Sequence, residues 1–141
     1  SAFGFQGQKC SACSRAIILE DIYERFLERL IEAAKSLEIG PPENPHYYMG
    51  PIIDEAAANN IRRYIEIGKS EAKLAFQGTI TETRGFFVPP TIFTDVSPKA
   101  RIAQEEIFGP VLAVIKAKNL NEALEIANDT DYALTGAFFS R

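Results

Sequence analysis

Two cysteines, Cys10 and Cys13, lie among small residues near the start of the chain, in the run Gly-Gln-Lys-Cys-Ser-Ala-Cys-Ser-Arg. Cys10 stands next to Lys9, whose positive charge favours the thiolate, the form of the side chain that acts as a nucleophile. The small residues after Cys10 let the backbone approach a bound carbonyl group closely. Nucleophilic catalysis is one interpretation of this segment, and burial of both cysteines as small hydrophobic side chains is the commoner alternative.

The spacing of Cys10 and Cys13 also fits a thiol–disulfide pair or half of a zinc site. Zinc needs further ligands, and the sequence offers no other cysteine and a single histidine, His46. His46 lies in a proline-flanked segment, and no pattern places it beside Cys10 as the base of a Cys–His hydrolase. We therefore predict no metal site and keep the disulfide pair as a minority hypothesis.

A second segment suited to chemistry is Gln-Glu-Glu-Ile-Phe-Gly-Pro at residues 104–110, directly before an apolar run. A carboxylate at the edge of a strand, such as Glu105 or Glu106, can accept hydrogen bonds from a ribose diol. Phe108 can form an apolar wall against a flat ring. The alternative is a polar turn whose Phe108 fills the core, and neither a Gly-x-Gly-x-x-Gly motif nor a phosphate loop is present in the sequence.

Apolar runs predict the strands that must position these two segments. The predicted strands are residues 16–19, 73–76, 111–115 and 135–139. Residues 111–115 are wholly apolar and are the best candidate for a central strand. Pro89 and Pro90 argue against a regular central strand within residues 86–93, because proline cannot donate a hydrogen bond to a neighbouring strand.

Three helices are predicted between these strands. The first begins at Asp21, where Glu24 completes a capping box, and ends at Gly40 and the prolines after it. The second begins at Asp54, and the third covers residues 120–127. Strands that alternate with helices predict an α/β fold, a sheet with flanking helices, in one domain over residues 1–141.

The composition is that of a globular domain, with 46% hydrophobic and 24% charged residues in a chain of 141. A net charge of −4 argues against a nucleic-acid partner. The sequence contains neither an apolar run long enough to span a membrane nor the pattern of a signal peptide. Two cysteines do not make a disulfide scaffold, so we expect a reducing compartment, the cytoplasm or alternatively the mitochondrial matrix.

Five segments, taken in order, resemble the aldehyde dehydrogenase superfamily. Residues 3–10 resemble its active-site cysteine signature, and residues 104–111 resemble its second signature. Residues 49–54, 85–93 and 127–136 are similar to segments that lie between and after these signatures, so the resemblance covers essentially the whole chain. Within the superfamily, the residues around Cys10 are most similar to the Δ1-pyrroline-5-carboxylate (glutamate γ-semialdehyde) dehydrogenases of proline catabolism.

The resemblance implies a role for each candidate residue. Cys10 would attack the aldehyde carbon to give a thiohemiacetal, and its backbone N–H would help to hold the oxyanion. Oxidation by NAD would leave a thioester, which water would hydrolyse to the carboxylic acid. Glu106 would bind the nicotinamide ribose, Phe108 would pack near the nicotinamide, Ser11 would contact the substrate, and Cys13 would only pack.

The resemblance also implies that the chain is incomplete. Members of the family are several times longer, and their cofactor domain, general-base glutamate and oxyanion-hole asparagine precede the cysteine. We therefore expect a fragment of the catalytic domain of a homo-oligomeric parent, lacking the cofactor domain and the C-terminal tail, and inactive by itself. Two alternatives remain, a folded module with a non-catalytic thiol and a thiol–disulfide module that uses Cys10 and Cys13.

Overall fold

The computed structural model describes residues 1–82 and 84–140, and a single four-stranded sheet runs through this part of the chain. The strands are β1 (Arg15–Leu19), β2 (Lys73–Gln77), β3 (Thr91–Thr94) and β4 (Val111–Ala117). Their order across the sheet is β1-β4-β3-β2. Strands β1 and β3 run parallel to β4, and β2 runs antiparallel to β3. The predicted α/β fold is confirmed.

Helices flank the sheet, and two of them begin at a side-chain cap. The helices are α1 (Tyr23–Lys35), α2 (Glu55–Glu71), α3 (Arg101–Gln104) and α4 (Leu120–Asn128), with short 3-10 turns at Gly4–Gly7 and Glu20–Ile22. The Asp54 carboxylate accepts a hydrogen bond from the Ala57 N–H at 2.8 Å, which fixes the start of α2 as predicted. Asn119 caps α4 in the same way through the Glu122 N–H at 3.0 Å.

Strand β4 lies at the centre of the core, as its apolar sequence predicted. Successive side chains of a strand point to opposite faces of the sheet. Val111, Ala113 and Ile115 belong to the hydrophobic cluster that contains the inner face of α2. Leu112 and Val114 belong to a second cluster, against which α1 packs. Only Lys116 of this strand is exposed, so β4 ties the two halves of the core together.

The exclusion of a central strand around Pro89 and Pro90 is wrong in part. Strand β3 begins at Thr91, directly after the prolines, and all four of its residues are buried between β2 and β4. The Thr91 N–H donates to the Pro110 carbonyl at 2.8 Å, and the Pro90 carbonyl accepts from Gly78 at 2.9 Å. The two prolines can only accept hydrogen bonds, through their carbonyl groups. The N–H groups of the chain join the sheet hydrogen bonding from Thr91 onward.

The first helix differs from its predicted bounds at both ends. Its N-cap is Ile22, without a side-chain cap, so the capping box expected at Asp21 and Glu24 does not form. The helix ends at Lys35 rather than at Gly40. Beyond it, Ile39 forms a bridge with Met49, and both side chains are buried. That pairing is incompatible with a helix that continues to Gly40, because a bridge residue does not make helical hydrogen bonds.

The predicted strand at residues 135–139 is not observed. Residues 131–140 are exposed throughout and form neither helix nor strand. A strand needs a partner for its backbone hydrogen bonds, and within residues 1–82 and 84–140 none pairs with this segment. In the same part of the chain, no helix has both the length and the apolar character needed to cross a bilayer.

Candidate active site

The cysteine loop, residues 3–14, is held by hydrogen bonds between its own main-chain groups and by the Gln8 side chain, which accepts a hydrogen bond from the Ile53 N–H at 2.9 Å. Gln6 and Gln8 donate their N–H groups to the carbonyls of Phe3 and Phe5 at 3.1 and 3.0 Å. Phe5, Gln6 and Gly7 have φ values of +55°, +57° and +68°. Three successive residues in the left-handed region reverse the chain tightly. Such a conformation is unfavourable for Phe5 and Gln6, and strained backbone of this kind is concentrated at functional sites.

Gly7 brings the cysteine loop into contact with the second predicted segment. A Cβ built on Gly7 would lie 2.2 Å from the Gly109 carbonyl oxygen, a distance that no side chain tolerates. Gly109 in turn lies against Ile61 of α2, whose side-chain carbon would be 2.6 Å from an added Cβ. The two segments, about a hundred residues apart in sequence, therefore meet backbone to backbone on a support provided by α2.

A narrow cleft of about 20 Å³ separates the two loops. Lys9, Cys13, Glu106 and Phe108 are among the residues that line it. Cys10 is exposed and stands in the chain between Lys9 and Ala12, both of which face the cleft. Ser11 is also exposed. The structure therefore places the predicted nucleophile and the predicted cofactor-binding carboxylate on neighbouring loops, on one side of the molecule.

The two cysteines differ in environment. Cys10 is exposed, whereas Cys13 is half-buried beside the α1 side of the core, and both are free thiols. The Cys13 thiol donates a weak hydrogen bond to the Arg15 carbonyl, with the two heavy atoms 3.4 Å apart. Burial raises the pKa of the Cys13 thiol above its usual value of 9.0, which keeps the group protonated and inert at neutral pH. This environment suits the packing role expected for Cys13.

Glu106 and Phe108 are presented to the cleft in different ways. Within residues 1–82 and 84–140, the Glu106 carboxylate has no hydrogen bond or salt bridge, so its oxygens remain available as acceptors. Phe108 has a φ of +56° and is 48% exposed. A large apolar side chain held outward on strained backbone is costly for folding alone, which points to a binding role.

Sequence reasoning missed the side chains that anchor Glu105, the neighbour of Glu106. The Tyr64 hydroxyl donates to the Glu105 carboxylate at 2.5 Å. Arg101 donates two further hydrogen bonds, at 2.9 and 3.1 Å. Hydrogen bonds from Arg101 and then from Tyr64 lower the pKa of Glu105 to about 2. The four-residue spacing of Arg101 and Glu105 is typical of an ion pair along a helix and could have indicated this contact. No local pattern links Tyr64 to the pair.

The lone histidine does not join this site. His46 contacts the carboxylate of Glu38 at 2.5 Å, and both side chains are more than half exposed. Among the residues that the structure describes, no three His, Cys, Asp or Glu side chains gather closely enough to hold a metal ion. The groups at the cleft are therefore the Lys9 amine, the Cys13 thiol, the Glu106 carboxylate and the Phe108 ring, and the exposed Cys10 thiol adjoins them in the chain.

The sequence of this chain is similar to those of known aldehyde dehydrogenases. The chain matches the aldehyde dehydrogenase family over residues 1–141. It is 58% identical over 141 residues to a 1-pyrroline-5-carboxylate dehydrogenase of Geobacillus sp. (strain WCH70), covering 100% of this chain and 27% of that protein. The chain thus spans about 27% of the length of the curated relatives it matches.

Solved structures agree with this match. The crystal structure of proline utilization A from Bdellovibrio bacteriovorus, inactivated by N-propargylglycine, has a TM-score of 0.96 and 57% identity, over 99% of this chain and 14% of that chain. The 1-pyrroline-5-carboxylate dehydrogenase from Thermus with bound NAD has a TM-score of 0.95 and 52% identity, over 100% of this chain and 27% of that chain.

Proposed function

The chain belongs to the aldehyde dehydrogenase family, and from this premise we propose that residues 1–141 form part of the catalytic domain of an NAD-dependent aldehyde dehydrogenase. The observation that carries the proposal is the juxtaposition of the loop that bears the exposed Cys10 with Glu106, which lines the cleft, through the contact of Gly7 with Gly109. Among residues 1–82 and 84–140, no group pairs with the Glu106 carboxylate. One group suits attack on a carbonyl carbon and the other suits a sugar diol.

Cys10 is the proposed nucleophile. Its thiolate adds to the aldehyde carbon and forms a thiohemiacetal, while the Cys10 backbone N–H helps to hold the oxygen that becomes negative. Loss of hydride from this adduct leaves a thioester on Cys10, and water releases the carboxylic acid and restores the thiol. Cys10 suits this role better than Cys13 because Cys13 is half-buried and its pKa is raised.

Glu106 and Phe108 are proposed to hold the cofactor. The free Glu106 carboxylate would accept hydrogen bonds from the hydroxyls of a ribose, and the half-exposed Phe108 ring would cover one side of a flat heterocycle. When bound, NAD accepts the hydride that the aldehyde loses. The Thermus relative with bound NAD supports the choice of this cofactor.

The proposed substrate is glutamate γ-semialdehyde, which would be oxidised to glutamate in proline catabolism. The curated relatives named 1-pyrroline-5-carboxylate dehydrogenase, at 52 to 58% identity, support this assignment. Ser11, exposed beside Cys10, is the proposed contact to substrate. We further propose a cytoplasmic, homo-oligomeric parent that binds neither nucleic acid nor membrane.

The test is NADH formation by the full-length protein that carries these residues, with NAD⁺ and glutamate γ-semialdehyde, followed by absorbance. We expect Cys10→Ala to lower the rate by about a thousandfold or more, and Cys13→Ala to change it by no more than about twofold. Glu106→Ala should raise the KM for NAD⁺ by about tenfold, because a charged hydrogen-bond acceptor is lost. Undiminished activity in the Cys10 variant would refute the mechanism.

The 141 residues by themselves are proposed to be inactive. This chain covers 27% of the curated relative from Geobacillus sp. (strain WCH70), so most of the residues of such a protein lie outside it. The isolated chain should produce no NADH under conditions in which the full-length protein does. A rate close to that of the full-length protein would show that these residues are sufficient.

A further inference from the structure

We propose that Tyr64, Arg101 and Glu105 form a positioning clamp that directs Glu106 and Phe108 into the cleft. The inference rests on the proposed function, in which Glu106 binds the ribose of the cofactor. None of the three clamp residues lines the cleft itself. Their role would be to act through the backbone of the acidic loop, which we define as residues 104–109.

Both oxygens of Glu105 are occupied. Arg101 donates to Oε1 at 2.9 Å and to Oε2 at 3.1 Å, the paired geometry in which a guanidinium holds a carboxylate most firmly. The Tyr64 hydroxyl donates to Oε2 at 2.5 Å. Three hydrogen bonds from two separate parts of the chain leave the Glu105 side chain little freedom to rotate.

The clamp is joined to the rigid core. Tyr64 lies on the inner face of α2 and is only 7% exposed, so its ring cannot follow a moving loop. The guanidinium of Arg63 lies over this ring at 5.0 Å from its centre, and that of Arg101 lies at 5.9 Å. Helix α2 also supports Gly109 through Ile61. One helix therefore fixes the acidic loop at both ends.

The neighbours of Glu105 are anchored as well. The Gln104 amide donates to the carbonyls of Pro98 and Asp129 at 2.6 and 2.8 Å, and Ile107 is buried in the core. Glu105 is the C-cap residue of α3, with φ −105° and ψ 150°; its side chain is bonded to Tyr64, whereas the next residue, Glu106, lines the cleft. Holding Glu105 against Tyr64 consequently turns Glu106 toward the cleft.

The test compares cofactor kinetics of full-length variants. Glu105→Gln and Tyr64→Phe should each raise the KM for NAD⁺ by about fivefold to tenfold, with kcat and the KM for aldehyde within about twofold. Arg101→Met should behave alike, and Arg101→Lys should recover part of the loss, because lysine keeps the charge but not the paired geometry. Matched controls are Glu66→Gln, in an exposed pair with Lys69, and Tyr132→Phe, at an exposed tyrosine.

A second measurement, hydrogen exchange of the backbone amides of residues 105–109, separates this proposal from the proposed function. Faster exchange confined to these amides in the clamp variants supports the clamp, whether or not NAD⁺ binds. Unchanged exchange together with an unchanged KM overturns it, as does a uniform loss of stability with all kinetic constants altered alike. If Glu106→Ala leaves the KM for NAD⁺ unchanged, the cofactor role fails instead.

Discussion

The two loops that meet at the cleft are held in different ways. The cysteine loop is shaped by left-handed backbone at Phe5, Gln6 and Gly7 and by hydrogen bonds between its own main-chain groups. The acidic loop is fixed by side chains from elsewhere, chiefly Tyr64 and Arg101. A backbone-held loop should be sensitive to an added Cβ, whereas a side-chain-held loop should be sensitive to the loss of single hydrogen bonds.

The difference suits the role proposed for each loop. Cys10 is exposed, and the left-handed backbone before it, together with the Gln8 hydrogen bond to Ile53, positions it without contacts that would cover the thiol. A carboxylate that binds a sugar needs a defined direction, which the fixed neighbour Glu105 supplies. Four experiments test this contrast, beginning with the largest expected effect.

Gly7→Ala should have the largest effect. The new Cβ would meet the Gly109 carbonyl in a residue whose φ is already +68°, so we expect a loss of about 3 kcal/mol in the free energy of unfolding. Urea denaturation of the 141-residue chain measures it. Gly136→Ala is the matched control, since a Cβ there meets no atom within 4 Å and should change stability by less than about 0.5 kcal/mol. Equal stability of the two variants would refute the backbone contact.

The two thiols should differ in their rate of alkylation. Iodoacetamide at neutral pH should modify the exposed Cys10 at least about tenfold faster than Cys13, whose thiol is half-buried and has a raised pKa. Mass spectrometry of the modified peptides measures both rates. The variants Cys10→Ser and Cys13→Ser show which rate belongs to which thiol. Equal rates would contradict the environments described. A reversible disulfide between the two thiols in a redox titration would favour the thiol–disulfide alternative.

Phe108 offers a test of strain on the acidic loop. Because its φ is +56°, Phe108→Gly should be more stable than Phe108→Ala by about 1 kcal/mol, although both lose the same ring. Leu134, which is 65% exposed and lacks a positive φ, should show no such advantage of glycine over alanine. Urea denaturation compares the two pairs. If Phe108→Ala had the higher free energy of unfolding of the two variants, the backbone at residue 108 would not be strained.

The smallest expected effect is a pH-dependent contribution of Glu105. Its pKa falls from 4.5 to about 2 on folding because Arg101 and Tyr64 stabilise the charged form. This contribution is fully present above pH 4.5 and is lost as the pH falls toward 2. The Tm of the wild-type chain should therefore exceed that of Glu105→Gln at pH 7, and the two should converge near pH 2. A difference that stayed constant over this range would contradict the clamp geometry.

Features that depend on neighbouring residues could be predicted from the sequence. The cap at Asp54 and the apolar strand at residues 111–115 follow from local patterns, and both are observed. The signatures around Cys10 and Glu106 predicted the family and the two candidate groups in the same way. Periodicity and capping act over a few residues, so one sequence is enough to reveal them.

Tertiary structure alone decided the contacts between distant residues. The backbone contact between Gly7 and Gly109 depends on how the sheet and α2 bring separate segments together. The hydrogen bond from Tyr64 to Glu105 depends on the same packing. Residues 135–139 have the apolar, β-branched or aromatic character of a strand, yet none of the described residues pairs with them. A strand and a long-range hydrogen bond both need a partner from elsewhere in the chain, and local propensity does not specify that partner.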